Sequence, residues 1–405
     1  MTDIFKLPMH AVVLASLILI AAPLEAKAAS DSLSPEQLLA MIQAQQKQLD
    51  ALKAALDKAV TEAAEAKAVA QTASQGVASQ SGGKVTLPKS FSLGGVIEVE
   101  GTNASTFAGV DSSDLTLAKV ELELDAVPTD LVSAHVVLQY EDDGNENIVL
   151  DEAYATLGNS EKSPLYLRAG KWTMPFGGYG SDMNTSPLTK KVGETNEAAV
   201  LLGAAWSDFK VEGYVYNGDS QKAGTDDKID QWGVAFGFAT AGDHSAYSAG
   251  AGYLRNIADS SPLTTGLGNN ATALNGYVSG LEAHAAATYR SITLRGGYLT
   301  ATKSFQTGEL AFNGAGAKPG AWNLEAAYAT SINNRDLTFA ATVQGTKQAV
   351  ALGLPETRLG GTVTLGVDES AAVTFEYLRD RDYGTVDGGT GNDKHTATVK
   401  LAVEF

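Results

Sequence analysis

From about residue 90 to Phe405 the chain keeps apolar side chains at every second position, in short runs broken by turn residues. In His395–Phe405, the residues Ala397, Val399, Leu401, Val403 and Phe405 share one face, and Thr396, Thr398, Lys400, Ala402 and Glu404 share the other. Side chains alternate across a strand, so each run reads as a strand with one apolar face. In a membrane barrel such faces turn outward to lipid, and the polar faces line a wet interior. A terminal aromatic is what bacterial outer-membrane proteins present, so Phe405 is the expected contact for the barrel-assembly machinery. The expected fold class is all-β, a transmembrane antiparallel β-barrel.

Sixteen runs fit strands: 90–101, 114–127, 131–141, 147–158, 164–173, 197–207, 209–217, 229–240, 245–256, 276–290, 292–302, 321–332, 335–345, 358–368, 371–379 and 395–405. An even number suits a bacterial barrel. Tight connections (Pro128-Thr129-Asp130, Ser207-Asp208, Ser291, Asn333-Asn334, Asp368-Glu369-Ser370) separate longer ones at 102–113, 174–196, 217–228, 257–275, 303–320, 346–357 and 380–394. Short turns alternating with long loops are the periplasmic and extracellular ends of such a barrel.

The region before the barrel divides into three. Residues 1–28 read as a signal peptide: Lys6, an apolar run over 11–22, then the small-x-small site Ala26-Lys27-Ala28. An uncleaved anchor is the alternative. Over 29–75, Leu38, Ile42, Gln45, Leu49, Leu52 and Leu56 step by four and three, and alanines continue the stripe to Ala73. That is the seam of a coiled coil, entered through Ser34 and Pro35 and about 60 Å long at 1.5 Å per residue. A solitary helix is the alternative. Residues 76–89 have linker composition. The expected site of the helix is the periplasm.

A net charge of −18 excludes an ordinary nucleic-acid binder, and the absence of cysteine excludes thiol chemistry and disulfides. No cofactor, catalytic group or metal site is expected. His135, His244, His284 and His395 are scattered without ligand spacing. Gly388–Asp393 reads as a turn, and 141–146 as an acidic loop tip.

Charged residues on the polar faces should line the lumen: Glu98, Glu100, Lys119, Glu121, Glu123, Asp125, Arg168, Lys210, Glu212, Glu282, His284, Arg290, Arg295, Glu325, Glu376, Lys400 and Glu404. Closure of the last strand on the first gathers Glu98, Glu100, Glu121, Glu123, Glu376 and Glu404 on one wall, with Arg290 and Arg295 nearly opposite. Either this makes a field across the pore, or the charges pair locally and keep the channel wet. The connection 174–196, with Asp182, Lys190, Lys191 and Glu194, is long enough to fold inward and narrow the pore. The alternative is an ordinary surface loop. Aromatics such as Tyr140, Trp172, Trp206, Trp232, Tyr253, Tyr289, Trp322 and Tyr377 suit interfacial girdles.

The element Gly170-Lys171-x-x-x-Pro175-Phe176-Gly177, with Pro187-Leu188, Gly193-Glu194-Thr195 and Tyr216-Asn217-Gly218-Asp219, resembles the LbtU-type siderophore porins. More distantly the chain is similar to the phosphate-selective porins O and P. The resemblance is best over 90–240. It implies TonB-independent uptake of a ferric hydroxycarboxylate siderophore and, from the distant relatives, a homotrimer; it transfers no siderophore-binding residue.

The expected function is passive or facilitated uptake of a polar solute across the outer membrane. A general or anion-selective porin is the runner-up, and a coiled-coil tether or adhesin a different class. Deleting residues 35–75 is expected to leave single-channel conductance in planar bilayers intact. Loss of an envelope phenotype with conductance unchanged would make the helix the working part.

Overall fold

A computed structural model describes residues 90–142, 147–159, 162–225 and 228–405. The signal peptide, the coiled-coil seam at Leu38, Ile42, Leu49, Leu52 and Leu56, the linker, and most of the acidic tip lie outside these residues.

Period-two sequence becomes strand throughout the described residues. In chain order the strands are β1 (Ser90–Ser105), β2 (Asp111–Thr129), β3 (Val132–Glu141), β4 (Ile148–Gly158), β5 (Leu165–Thr173), β6 (Asn196–Trp206), β7 (Phe209–Tyr216), β8 (Gln231–Ala241) and β9 (Ser245–Leu254). Then come β10 (Gly280–Tyr289), β11 (Ile292–Ala301), a small hairpin of β12 (Ala311–Phe312) and β13 (Ala315–Gly316), β14 (Gly320–Ile332), β15 (Arg335–Lys347), β16 (Thr357–Asp368), β17 (Ala371–Arg381) and β18 (Asp393–Glu404). All but the hairpin form one closed barrel of sixteen antiparallel strands, each bonded to its chain neighbours, with β11 meeting β14 and β18 closing on β1. The closing register runs from Val96 opposite Glu404 to Ala104 opposite Thr396. Beyond it Gly95 and Phe405 exchange both backbone hydrogen bonds at 3.0 Å.

Polarity is inverted relative to a soluble core. Leu324 is 57% exposed, whereas its neighbour Glu325 is 5% exposed; on β17, Phe375 and Tyr377 face out while Glu376 is 1% exposed. The outer wall is thus a belt of exposed Leu, Val, Phe and Tyr, far larger than a water-facing surface carries. Closure leaves no strand edge unpaired, which an apolar surrounding demands.

The tight turns follow from local chemistry. Asn333 and Asn334 both take positive φ (52° and 61°) between the paired ends Ile332 and Arg335. Two left-handed residues make the turn whose twist matches the flanking strands, and asparagine tolerates that conformation.

Three expectations change. The connection expected over 102–113 shrinks to 106–110, because the backbone ladder continues through the polar ends of β1 and β2 (Thr102 opposite Asp114, Ser105 opposite Asp111). Arg290, expected on a lumen face, occupies the β10–β11 turn with φ of 54°, and its guanidinium lies 5.4 Å from the Tyr289 ring centre. Trp172, expected in a girdle, faces inward and is 3% exposed.

The long loops carry structure of their own. Helix α1 (Leu188–Gly193) lies between β5 and β6, and α2 (Ser261–Leu267) between β9 and β10. Phe176, Leu188, Val192, Ile257, Leu263, Leu274, Phe305 and Leu310 build the main dry core from these loops. The core leans on inward residues of β5, β6, β7, β9, β11 and β14, among them Leu201, Tyr216 and Leu299.

Gly170 has φ of 139°, and a Cβ there would sit 2.1 Å from the Ala153 carbonyl oxygen. Gly170→Val is expected to destabilise the β4–β5 pair by about 3 kcal/mol. The readout is a smaller folded fraction by heat-modifiable gel migration.

Candidate pore constriction

The β5–β6 connection begins at Met174, whose N–H donates to the Thr195 carbonyl (2.8 Å) and so pins the loop base shut. Pro175 stops the strand, since it has no N–H for the ladder. Phe176 then turns into the dry core with no exposure, and a Cβ on either Gly252 of β9 or Gly280 of β10 would crowd its ring. Gly177 (φ 119°) redirects the chain. Gly178 lies so close to His284 of β10 that a Cβ would fall 2.4 Å from the imidazole. The loop therefore enters the lumen along the wall opposite β1–β4.

Its tip is tied to the far wall. Ser181 Oγ and the Asp182 N–H (2.8 Å) donate to the two oxygens of Glu325 on β14. Arg295 of β11 joins Asp182 to Glu325, the latter at 2.8 Å. Asn184 donates to Glu100 on β1 (3.0 Å), and Thr185 donates its N–H (3.0 Å) and its hydroxyl to Glu376 on β17. The Leu188 N–H donates to Gln344 on β15 (2.7 Å), and Thr189 to Asn323 on β14 (3.0 Å). A loop from the fifth strand thus spans the lumen to β14–β17 and β1. A cavity of about 250 Å³ lies between its tip and Thr338, Thr364, Thr374 and Lys400.

These ties decide the electrostatics. Arg295, expected to face the acidic wall, is consumed by Asp182 and Glu325, and Glu376 by the loop. Lys400 pairs with Glu98 (2.8 Å) and Lys119 with Glu121 (2.6 Å). Lys210 pairs with Glu212 (3.0 Å), and Glu404 sits at the short-turn rim opposite Val96. Arg168 is held 4.4 Å from the Tyr154 ring centre. Local pairing, rather than opposed acidic and basic walls, describes this lumen. Within the loop, Lys190 pairs with Glu194 across one helical turn (3.0 Å), and Lys191 is exposed.

Sequence reading missed Gln344, Asn323, Tyr154 and Glu152. All four sit at inward positions, but the parity that marks a lumen residue does not say which will meet a loop.

The loops between wall strands hold three buried carboxylates among the described residues, Asp259, Glu309 and Asp382. Asp259 accepts from the Ser220 N–H (2.8 Å) and hydroxyl and from Asn256 (3.2 Å). Burial pushes its carboxyl up to about 6, against the opposing pull of the Ser220 donors.

No family model matches the chain. It is 27% identical over 313 residues to a "UPF0422 protein" of Coxiella burnetii, covering 75% of this chain and 67% of that one. It is 28% identical over 353 residues to "UPF0422 protein lpg2959" of Legionella pneumophila, covering 78% and 66%. The chain thus spans about two thirds of these relatives' length. Among solved structures, the fold is similar to an anion-selective porin from Comamonas acidovorans (TM-score 0.54, 13% identity, 78% of this chain and 99% of that one). It is also similar to the outer membrane channel DcaP of Acinetobacter baumannii (TM-score 0.53, 12% identity, 78% and 97%). The fold is porin-like.

Hydrogen bonds to charged groups contribute about 1.5–3 kcal/mol each. The double substitution Glu325→Ala with Glu376→Ala is therefore expected to free the loop tip. Single-channel conductance should rise and its fluctuations broaden, with the barrel still folded.

Proposed function

We propose that the protein is an outer-membrane diffusion channel for small polar solutes, narrowed by the inward loop and favouring cations. One observation carries this: the loop tip is tied to β1, β11, β14, β15 and β17, and the inward wall of β2–β4 beside it is acidic. Its inward positions hold Glu121, Glu123, Asp125 and Glu152, with Lys119 alone in opposition. Low-dielectric walls focus the field of such charges into the passage. The inverted polarity and closed ladder support a membrane setting. The short-turn rim would then face the periplasm.

Subunit contact is supported by the outer wall. Outward aromatics ring β6 to β17, including Trp206, Phe236, Tyr247, Tyr298, Tyr328 and Phe375. The outward face of β2–β5 is mostly aliphatic, with Leu122, Leu138, Leu157 and Leu167, and Tyr140 is its one aromatic among the described residues. Aromatic belts mark contact with the lipid interface, so this gap suits a homotrimer contact rather than lipid.

Siderophore uptake rests on the resemblance. A ferric hydroxycarboxylate is anionic and would pass against the acidic wall, as would the anions of an anion-selective porin.

Under a salt gradient in planar bilayers, the wild type is expected to show a reversal potential of cation-preferring sign. Glu121→Lys with Glu123→Lys should move it toward anions. Stepwise conductance blocked by a ferric hydroxycarboxylate at low concentration would favour the siderophore reading instead.

A further inference from the structure

We infer that Glu123, Asp125 and His135 form a binding site for a first-row transition-metal dication on the lumen wall, with Glu152 orienting the imidazole. Ligand atoms of the first three lie within 4.8 Å of one another. His135 Nδ1 is 2.8 Å from Asp125 Oδ1 and 3.7 Å from Glu123 Oε1. On the other side of the ring, Nε2 is 3.6 Å from Glu152 Oε2.

The wall builds this arrangement by register. Asp125 of β2 is directly opposite His135 of β3, and Glu123 is opposite Val137, two positions along the same inward face. Glu152 of β4 is opposite Val137, and Tyr154 is opposite His135. The imidazole packs on the Tyr154 ring at 5.0 Å and is 16% exposed, so it is a positioned donor rather than a mobile surface group.

Two features take the group beyond a patch of acids. The first is the nitrogen ligand. An imidazole with two carboxylates suits zinc, nickel, cobalt or manganese, whereas calcium and magnesium take oxygen alone. A carboxylate behind the distal nitrogen is the partner that metal-bound histidines use to fix ring orientation. The second is charge. Among the described residues, the only ion-pair partner of Glu123, Asp125 and Glu152 is His135 itself. Arg168 of β5 is turned onto the faces of Tyr154 and Trp172 (4.4 and 5.7 Å). Three carboxylates thus converge on one imidazole, and a dication between Nδ1 and the β2 carboxylates balances them. Metal–donor bonds of about 2.0–2.2 Å require donors within about 4.4 Å of each other, so small side-chain rotations complete the set. Three protein ligands leave further positions for water or a passing solute.

The ligand set does not depend on conduction, and its test is made on the full chain folded in detergent. Titration calorimetry with zinc chloride at neutral pH is expected to give one saturable site. Addition of cobalt chloride should produce visible absorption from nitrogen–oxygen ligation. His135→Ala should weaken zinc binding by about tenfold or more and remove the cobalt bands. Glu152→Gln, which keeps all three ligands, should weaken it by about 10–100-fold. Heat-modifiable migration confirms that each variant is folded, and His135→Gln replaces His135→Ala if that variant is not. Absence of saturable binding by the wild type overturns the site. So does zinc affinity unchanged in a folded His135 variant.

Discussion

Closure of the hydrogen-bond ladder between β18 and β1 is the constraint on which the rest depends. Once Phe405 and Gly95 exchange backbone bonds, no strand presents an open edge, and the outer wall can be apolar without stranding a single ladder amide. The inward face is then released from packing duty and can carry charge. A soluble barrel of this size would have to fill its interior with side chains. Here a chain segment enters instead.

That segment is held at its tip by hydrogen-bond acceptors, joined by a small apolar contact of Met183 with Ala327, Ala340 and Leu378. Glu325, Glu376 and Gln344 each accept a loop backbone N–H. A backbone amide carried into a narrow lumen would otherwise lose its water, and a buried carboxylate would lose its own. Each group thus removes the other's desolvation cost. The same pairing withdraws Arg295 and Glu376 from the solute path, which is why the lumen does not behave as two opposed charged walls. Charge left facing the passage is concentrated where the loop does not reach.

The strand pattern was legible because side-chain parity is a property of local sequence: sixteen runs give sixteen wall strands, with ends displaced by a few residues. The β1–β2 connection misled because its paired ends, Thr102–Ser105 and Asp111–Ser113, lack apolar alternation, yet backbone pairing needs none. Arg290 had the right parity and still left the wall, since a turn residue with positive φ no longer belongs to either face. The inward loop was legible only as length and composition. Its anchors are inward polar residues distributed over β1, β14, β15 and β17, more than a hundred residues from the loop in most cases, and no local pattern announces such a contact. His135 looked isolated for the same reason: its partners come from neighbouring strands, so ligand spacing along the chain is the wrong measure in a sheet.

The dry core of the loops has a consequence for how such a molecule can change. It rests on β5, β6, β7, β9, β11 and β14, and from β1–β4 it meets Tyr154 of β4 alone among the described residues. One half of the barrel is therefore a scaffold whose side chains are committed to holding the loops, and the other half is a nearly free surface facing the passage. Away from Glu100 and Tyr154, which hold the loop and its core, substitutions on those four strands can rewrite what the channel prefers without disturbing what keeps it folded, so chemistry and architecture are largely separable along a line drawn down the barrel.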